Sequence, residues 1–123
     1  MSGSTIEVIE PGLLTTVQDL GRTGLLRFGV TTGGALDQAA LTLGNYLVGN
    51  EPGDAGLELT LLGPRLRFTA PAVLALTGSD LGATLNGQPL PRWQPVLVEA
   101  GDELGFSPGR AAPGAGARAY LCV

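Results

Sequence analysis

The sequence predicts a mainly β fold, a closed or nearly closed β-barrel with one amphipathic helix. Seven or more short β-like runs recur at spacings of roughly 8–12 residues, and barrel closure would remove the unpaired edges of such a sheet. The 20 glycines and nine prolines fall between these runs rather than in tracts. A chain of 123 residues is the length of one domain, at roughly 100–200 residues per domain, so we expect residues 1–123 to form a single barrel.

The predicted strands follow from apolar patterning and from the turn residues that bound them. Residues 57–61 alternate between leucine and polar residues, which is typical of a strand with one buried face. Residues 72–77 are almost wholly apolar, which predicts a strand buried on both faces. Asn86 and Gly87 predict a type I′ hairpin turn, because both central positions of that turn need a positive φ. Further strands are predicted at 6–10, 13–17, 66–68, 83–85, 88–90, 96–99, 103–106 and 118–123, and a surface loop at 108–116.

One segment breaks the β pattern. Four apolar residues at helical spacing predict a helix of about three turns, with its polar side opposite and Gly49 and Asn50 as the stop signal. The apolar residues are Leu36, Ala40, Leu43 and Leu47, and the polar side carries Asp37, Gln38 and Thr42.

The composition excludes several function classes. The net charge is -4 and no Lys is present, so neither nucleic acid nor an anionic membrane is an expected partner, and a P-loop is excluded. Without His, the Ser-His-Asp triad and His-bearing zinc sites are excluded, and no metal site is predicted. Cys122, the one cysteine, is interpreted as a buried strand residue. Because no signal-like or membrane-spanning apolar run is present, we expect a cytoplasmic protein.

The stretch 15–37 is the richest in glycine and polar residues. Gly33 and Gly34 precede the helix, whose free N–H groups could hold an anion or a polarised carbonyl. Alternatively, the glycines only form a tight loop, and Asp37 complements the helix dipole.

A second group of candidates lies on the strand at 57–61. Glu58 and Thr60 share one face, and an inward-facing Glu58 must be paired or protonated, whereas an outward-facing one needs no partner. The arginines considered as partners are Arg22, Arg27, Arg65 and Arg67. Asn45 is either an exposed helix residue or one that reaches a backbone or ligand group, and Trp93 either caps the barrel or contacts a partner.

Several motifs along nearly the whole chain resemble one family. The strings are IEVIEPGLLTTVQDLGRTG, FGV, GALDQAAL, LELTLLGP, ALTGSDLGATLNGQPLPRW and GARAYL. They are similar to the N-terminal half of the KipA family, whose members are also known as allophanate hydrolase subunit 2 or as a 5-oxoprolinase subunit. The resemblance implies a cyclophilin-like barrel that forms the first of two domains, and a lone half is expected to expose apolar surface and to form homo-oligomers.

The resemblance implies a role in a complex. Members work with a KipI-like protein and a LamB/YcsF-like protein as an ATP-dependent 5-oxoprolinase, which opens the cyclic amide of 5-oxoproline to give glutamate. Related halves form the carboxyltransferase of urea carboxylase, where carboxybiotin donates its carboxyl group, and one member instead regulates a KipI-like inhibitor. We expect the first activity, with ATP used by the complex, no cofactor bound by this chain itself, and a small-molecule amide as the substrate.

The resemblance also selects site residues. Matches to the family pattern predict Asp37 and Glu58 as the groups that handle a proton. The predicted substrate-binding residues are Arg22, Gly34, Ala35, Asn45 and Thr60, and the structural motif is Thr16, Gln18, Asp19, Gly21 and Gly24. Residues 31–33 replace a common Pro-x-Ser, which removes a hydroxyl from the loop, and Leu36 and Cys122 replace a usual Met and Ala.

Overall fold

The structure is a computed structural model, which describes residues 6–12, 14–19, 37–107 and 118–123. The elements in these ranges, in chain order, are β1 (Ile6–Glu10), β2 (Leu14–Gln18), α1 (Gln38–Val48), β3 (Gly56–Thr60), β4 (Arg65–Phe68), β5 (Ala72–Gly78), β6 (Ala83–Leu85), β7 (Gln88–Pro89), β8 (Val96–Val98), β9 (Glu103–Phe106) and β10 (Arg118–Cys122). The mainly β class with one helix is therefore confirmed. The predicted loop at 108–116 lies outside the described residues.

The strands form two sheets, and every described pairing is antiparallel. One sheet has the order β1-β4-β9-β6-β7, and the other has the order β2-β3-β10-β5-β8. Within the described ranges no strand pairing joins the two sheets. Barrel closure is thus not confirmed, because the described strands leave edges at β1, β7, β2 and β8.

The core lies between the two sheets and fixes which face of β3 and β10 is left for the helix. Leu59, Ala119 and Leu121 belong to this core together with leucines from the other strands. Because successive side chains of a strand point to opposite faces, Glu58 and Tyr120 project from the opposite face. That face carries α1, which packs against β5 and β10.

Helix α1 begins and ends at residues with clear capping roles. The Asp37 side chain accepts a hydrogen bond from the Ala40 N–H at 3.0 Å, which is an N-cap. Gly49, with φ of 82°, provides the left-handed C-cap that the sequence predicted as a stop.

The buried face of α1 differs from the predicted one. The helix buries Ala40, Leu41, Gly44 and Asn45, whereas Leu43 is exposed. The reason is that close approach of α1 to the sheet leaves no room for a side chain at Gly44, while the Asn45 amide is turned inward to bond the loop at 52–54. The Asn45 Nδ2 donates to the Asp54 carbonyl at 2.8 Å, and its Oδ1 accepts from Asn50.

Three local predictions can be compared with the structure. Asn86 and Gly87 have φ of 50° and 83° between β6 and β7, so the type I′ hairpin is confirmed. Cys122 is fully buried in β10, as predicted. Trp93 is half-exposed, and its backbone N–H donates to the Leu76 carbonyl at 2.7 Å, so a role as a partner contact stays a prediction. The one described helix is too short to cross a bilayer.

Close packing of α1 on the sheet depends on two glycines. A Cβ on Gly44 would lie 2.7 Å from the Cys122 Sγ, and one on Gly56 would lie 2.8 Å from the Leu41 Cδ1. Both distances are too short for a real Cβ atom. The absence of side chains at the two glycines therefore lets the helix approach β3 and β10.

We expect Gly44→Ala to destabilise the chain although alanine is the better helix former. Overpacking against Cys122 should cost about 1–3 kcal/mol, partly offset by roughly 1 kcal/mol of helix propensity. Adding Cys122→Ala removes the sulfur and should relieve the clash, which gives a favourable coupling of about 0.5–3 kcal/mol in a double-mutant cycle by urea unfolding. Additive effects of the two changes would contradict the packing described here.

Candidate functional site

The helix-facing side of β2, β3 and β10 brings several predicted site residues together. Thr16 lies opposite Glu58 in the β2–β3 register, and Tyr120 lies opposite Glu58 on the other side. Thr60 and Arg118 form the next pair along β3 and β10. Five predicted residues lie outside the described ranges: Gly21, Arg22, Gly24, Gly34 and Ala35.

Glu58 is the centre of this face. Its residue surface is only 7% exposed, and the Tyr120 hydroxyl donates to its Oε2 at 2.6 Å. The Tyr120 oxygen in turn accepts the backbone N–H of Asp37 at 2.9 Å. The phenol thus connects the buried carboxylate to the first residue before α1.

Arg118 supplies a positive charge beside this carboxylate. Its Nε lies 4.0 Å from the Glu58 Oε1, and its side chain is partly exposed. Two arginines considered as partners from the sequence do not fill this role, since Arg65 and Arg67 pair with Glu7, Glu10 and Glu103 on the other sheet.

The motif residues of β2 form the rim of the face. The Gln18 Nε2 donates to the Thr16 Oγ1 at 3.0 Å, which holds the threonine next to Glu58. Asp19 follows the strand and is exposed. The roles predicted for this motif from the family resemblance stay predictions.

Asp37 and Asn45 have structural partners. One carboxylate oxygen of Asp37 caps α1, and its backbone N–H is the group that contacts Tyr120. The Asn45 amide is fully buried and holds the loop at 52–54 to the helix. The described contacts of both side chains are therefore structural, and their predicted catalytic and substrate-binding roles stay predictions.

Burial changes the acidity of two groups on this side of the sheet. Burial, reinforced by the hydrogen bond to Glu58, raises the pKa of Tyr120 to about 12. Burial also raises the pKa of the Cys122 thiol to about 11. At neutral pH Tyr120 is therefore a hydrogen-bond donor and Cys122 a neutral thiol, which makes the cysteine a poor nucleophile.

Tyr120 and Arg118 are residues that the sequence reasoning missed. The alternation of Arg118, Ala119 and Tyr120 could have placed the first and third on one face of a strand. Their contact with Glu58 depends on the pairing of β10 with β3, which are about 60 residues apart in the chain. No local pattern specifies that register.

The arrangement combines one acceptor with several donors in a site largely shielded from water. A buried carboxylate can accept a proton or an N–H group, while a guanidinium and hydroxyls can hold an oxygen that becomes negative. Among the described residues, no three His, Cys, Asp or Glu side chains converge in a way that could hold a metal ion.

We expect the tyrosine titration to show the environment of Tyr120 directly. In a Tyr46→Phe variant Tyr120 is the one tyrosine left, and its tyrosinate absorbance should appear with a midpoint displaced from 10.0 toward 12 in the folded chain. Because the folded state then binds this proton more tightly than the unfolded state, the contribution of Tyr120 to stability should be constant below pH 10 and be lost as the pH rises toward 12. The urea-denatured variant is the control, and identical midpoints in the two states would contradict the buried hydrogen bond.

Comparison with known proteins shows which family this chain is similar to. The family model described as carboxyltransferase domain, subdomain A and B, matches residues 28–123. The urea amidolyase of Saccharomyces cerevisiae is 40% identical over 121 residues, which cover 98% of this chain and 6% of that protein. A 5-oxoprolinase subunit of Escherichia coli is 36% identical over 118 residues, which cover 96% of this chain and 37% of that protein.

Solved structures agree with the sequence comparison. The crystal structure of the Kluyveromyces lactis urea carboxylase superposes with a TM-score of 0.84 at 39% identity, over 94% of this chain and 10% of that one. The chain thus spans well under half the length of each of these relatives. The resemblance seen in the motifs is confirmed, and the chain belongs to the family of carboxyltransferase domains, subdomain A and B, that also includes 5-oxoprolinase subunits.

Proposed function

We propose that this chain is part of an ATP-dependent 5-oxoprolinase complex and that its Glu58 face contributes to opening the cyclic amide of 5-oxoproline. The observation that carries the proposal is the buried carboxylate of Glu58, which Tyr120 orients and Arg118 faces. Hydrolysis of an amide needs a proton acceptor and positively polarised donors, because the carbonyl oxygen must be stabilised while a proton moves to the nitrogen. The relatives named as 5-oxoprolinase subunits support this activity.

The hydrolysis reaction determines what each residue must do. Hydrolysis breaks the bond between the carbonyl carbon and the ring nitrogen, the water oxygen joins the carbon, and one water proton goes to the nitrogen. In the proposal, Glu58 accepts the proton from water and returns it to the nitrogen. Tyr120 keeps its own proton at neutral pH and fixes the orientation of the carboxylate, so we class it as a positioning residue.

We propose that ATP binds elsewhere in the complex than on the described part of this chain. The four arginines of that part already contact acidic side chains or a carbonyl, since Arg92 donates to the Gly78 oxygen at 2.7 Å and the other three lie within 4.0 Å of a glutamate. Phosphate binding favours positive charge that is not neutralised, whereas three of these four guanidinium groups already face a carboxylate. We therefore place ATP in the KipI-like and LamB/YcsF-like partners of the proposed complex, which would be cytoplasmic.

Urea is the second candidate substrate. The relatives named for urea chemistry are 38–41% identical to this chain, slightly more than the 34–36% of the 5-oxoprolinase subunits. In that reaction a carboxyl group would pass from the ring nitrogen of carboxybiotin to a urea nitrogen, so that one C–N bond breaks, another forms, and a proton moves from the urea nitrogen to the biotin nitrogen. Glu58 would accept this proton and pass it on, so the same carboxylate would serve either substrate. None of the described residues is assigned to binding carboxybiotin.

Extracts of the source organism separate these activities. We expect ATP-dependent loss of 5-oxoproline to disappear when the gene for this chain is deleted and to return on complementation. Bicarbonate-dependent and ATP-dependent loss of urea, measured in the same extracts, tests the second candidate. If neither activity changes on deletion, both enzymatic proposals are wrong, and regulation of a KipI-like partner is left as the function.

We expect Glu58→Gln to lower the activity restored by complementation by about 10²-fold or more, the usual contribution of a general acid–base group. Glutamine keeps the shape of the side chain and removes the proton acceptor. Glu99→Gln, at an exposed position, is the matched control and should leave activity unchanged. A fully active Glu58→Gln variant that folds like the wild type would indicate a binding module rather than a catalytic component.

A further inference from the structure

A cleft lies on the outer face of the sheet that contains β4, β9 and β6, on the far side of the core from helix α1. It consists of two cavities of about 300 and 280 Å³, which share Arg65, Thr84 and Gly105 as lining residues. Leu66 and Leu104 point into the core. Because successive side chains of a strand alternate, Arg65 and Gly105 face outward. Ligand cavities begin at roughly 300 Å³, so the cleft has the size for a small molecule.

Thr84 brings an unused hydroxyl to this cleft. The residue is only 8% exposed and lines both cavities. Within the part of the chain that the structure describes, its Oγ1 has no hydrogen-bond partner, although the atom is not closed off from solvent. Most buried polar groups are hydrogen-bonded, so an unpaired hydroxyl in a cavity wall points to a partner from outside the chain.

Gly105 keeps this hydroxyl uncovered. It lies opposite Thr84 in the register of β6 and β9. The nearest described atom that a Cβ at Gly105 would meet is the Thr84 Oγ1, at 3.4 Å, which is an ordinary contact distance. Packing of the described residues therefore does not require a glycine here, although glycine weakens a strand relative to alanine. The missing side chain instead opens the space in front of Thr84.

Arg65 adds a guanidinium that faces two carboxylates. Its Nη1 lies 3.6 Å from the Glu10 Oε1 and its Nε lies 3.7 Å from the Glu103 Oε1, both beyond hydrogen-bond distance. Its N–H groups have no hydrogen-bond acceptor among the described residues. Because the cleft has one positive and two negative charges, a free anion would meet an excess of negative charge. A ligand that carries an ammonium beside its carboxylate matches both signs.

The two cavities differ in polarity. The smaller one is lined by polar side chains and glycines, whereas the larger one continues past Arg65 to Leu62, Pro64 and Phe106. Gly63 allows the Phe106 ring to lie against the segment between β3 and β4, since a Cβ at Gly63 would lie 2.4 Å from the ring. The cleft therefore has a polar end and an apolar end.

We propose that this cleft binds an α-amino acid with an apolar side chain. In this arrangement Arg65 and Thr84 donate hydrogen bonds to the α-carboxylate, and Glu103 accepts the α-ammonium. The ligand side chain lies in the larger cavity, against Phe106. The site does not rest on the proposed function, because it lies on the other sheet and shares no residue with the face around Glu58.

The test is a calorimetric titration of the full chain with four matched probes. L-leucine carries all three recognised groups, N-acetyl-L-leucine lacks the ammonium, L-leucinamide lacks the carboxylate, and glycine lacks the side chain. We expect L-leucine to bind about 10-fold more tightly than each of the others, or better, because each loses a charge-assisted hydrogen bond or an apolar contact. Equal affinity for L-leucine and any one of the other probes, or no binding of L-leucine at its highest soluble concentration, would overturn the proposal.

A variant of Gly105 separates a ligand site from a packing role. The methyl group of Gly105→Ala fills the space in front of Thr84 and should weaken L-leucine binding by about 10-fold. The variant should unfold at an equal or higher urea concentration than the wild type, because alanine suits a strand better than glycine. Gly53→Ala, at an exposed glycine with no described atom within 4 Å, is the matched control and should bind like the wild type. A destabilised Gly105→Ala with unchanged affinity would refute the proposal.

Variants of Thr84 test the hydroxyl itself. Thr84→Val is nearly isosteric and removes the donor, so it should weaken L-leucine binding roughly 3- to 10-fold. Thr84→Ser keeps the hydroxyl and should bind like the wild type. If Thr84→Val binds L-leucine as tightly as the wild type does, the carboxylate is not held by this hydroxyl and the assignment is wrong.

Discussion

The structure depends on one buried phenol. The Tyr120 hydroxyl accepts the backbone N–H of Asp37 and donates to Glu58, so one oxygen joins the start of α1, the C-terminal strand and the central strand β3. Without such a partner, a carboxylate on this buried face would lower the free energy of unfolding, because ionised groups lose their hydration on burial. The raised pKa of Tyr120 keeps the donor protonated across the physiological range. The same hydrogen bond therefore stabilises the fold and orients the proposed catalytic group.

The rest of the helix-facing layer supports that bond. Gly44 and Gly56 let α1 approach the sheet, and the buried Asn45 amide fixes the loop after the helix. The Thr77 hydroxyl donates to the Ala40 carbonyl at 2.7 Å, which binds the first turn of α1 to β5. Each of these contacts restricts where the residue before the helix can lie. The position of the Asp37 N–H, and with it the geometry at Glu58, is a consequence of this packing.

Patterns that act over a few residues were predictable from the sequence. The alternation around Leu59, the Asn86-Gly87 turn and the Gly49 helix stop each have a local physical cause, and the structure confirms them. The buried face of α1 was predicted wrongly, because leucine at 43 is exposed while glycine and asparagine are buried for reasons that lie on other strands. The candidate site was predicted only in part. Glu58 and Thr60 were identified by their shared face, whereas Tyr120 and Arg118 depend on a long-range register that no local signal specifies.

The central claim is that the face around Glu58 binds the reacting amide. The most direct measurement is a crystal structure of the chain with 5-oxoproline bound. We expect the ring nitrogen within hydrogen-bond distance of the Glu58 carboxylate, with the Tyr120–Glu58 hydrogen bond retained. A ligand bound elsewhere, with no contact to Glu58, would contradict this claim.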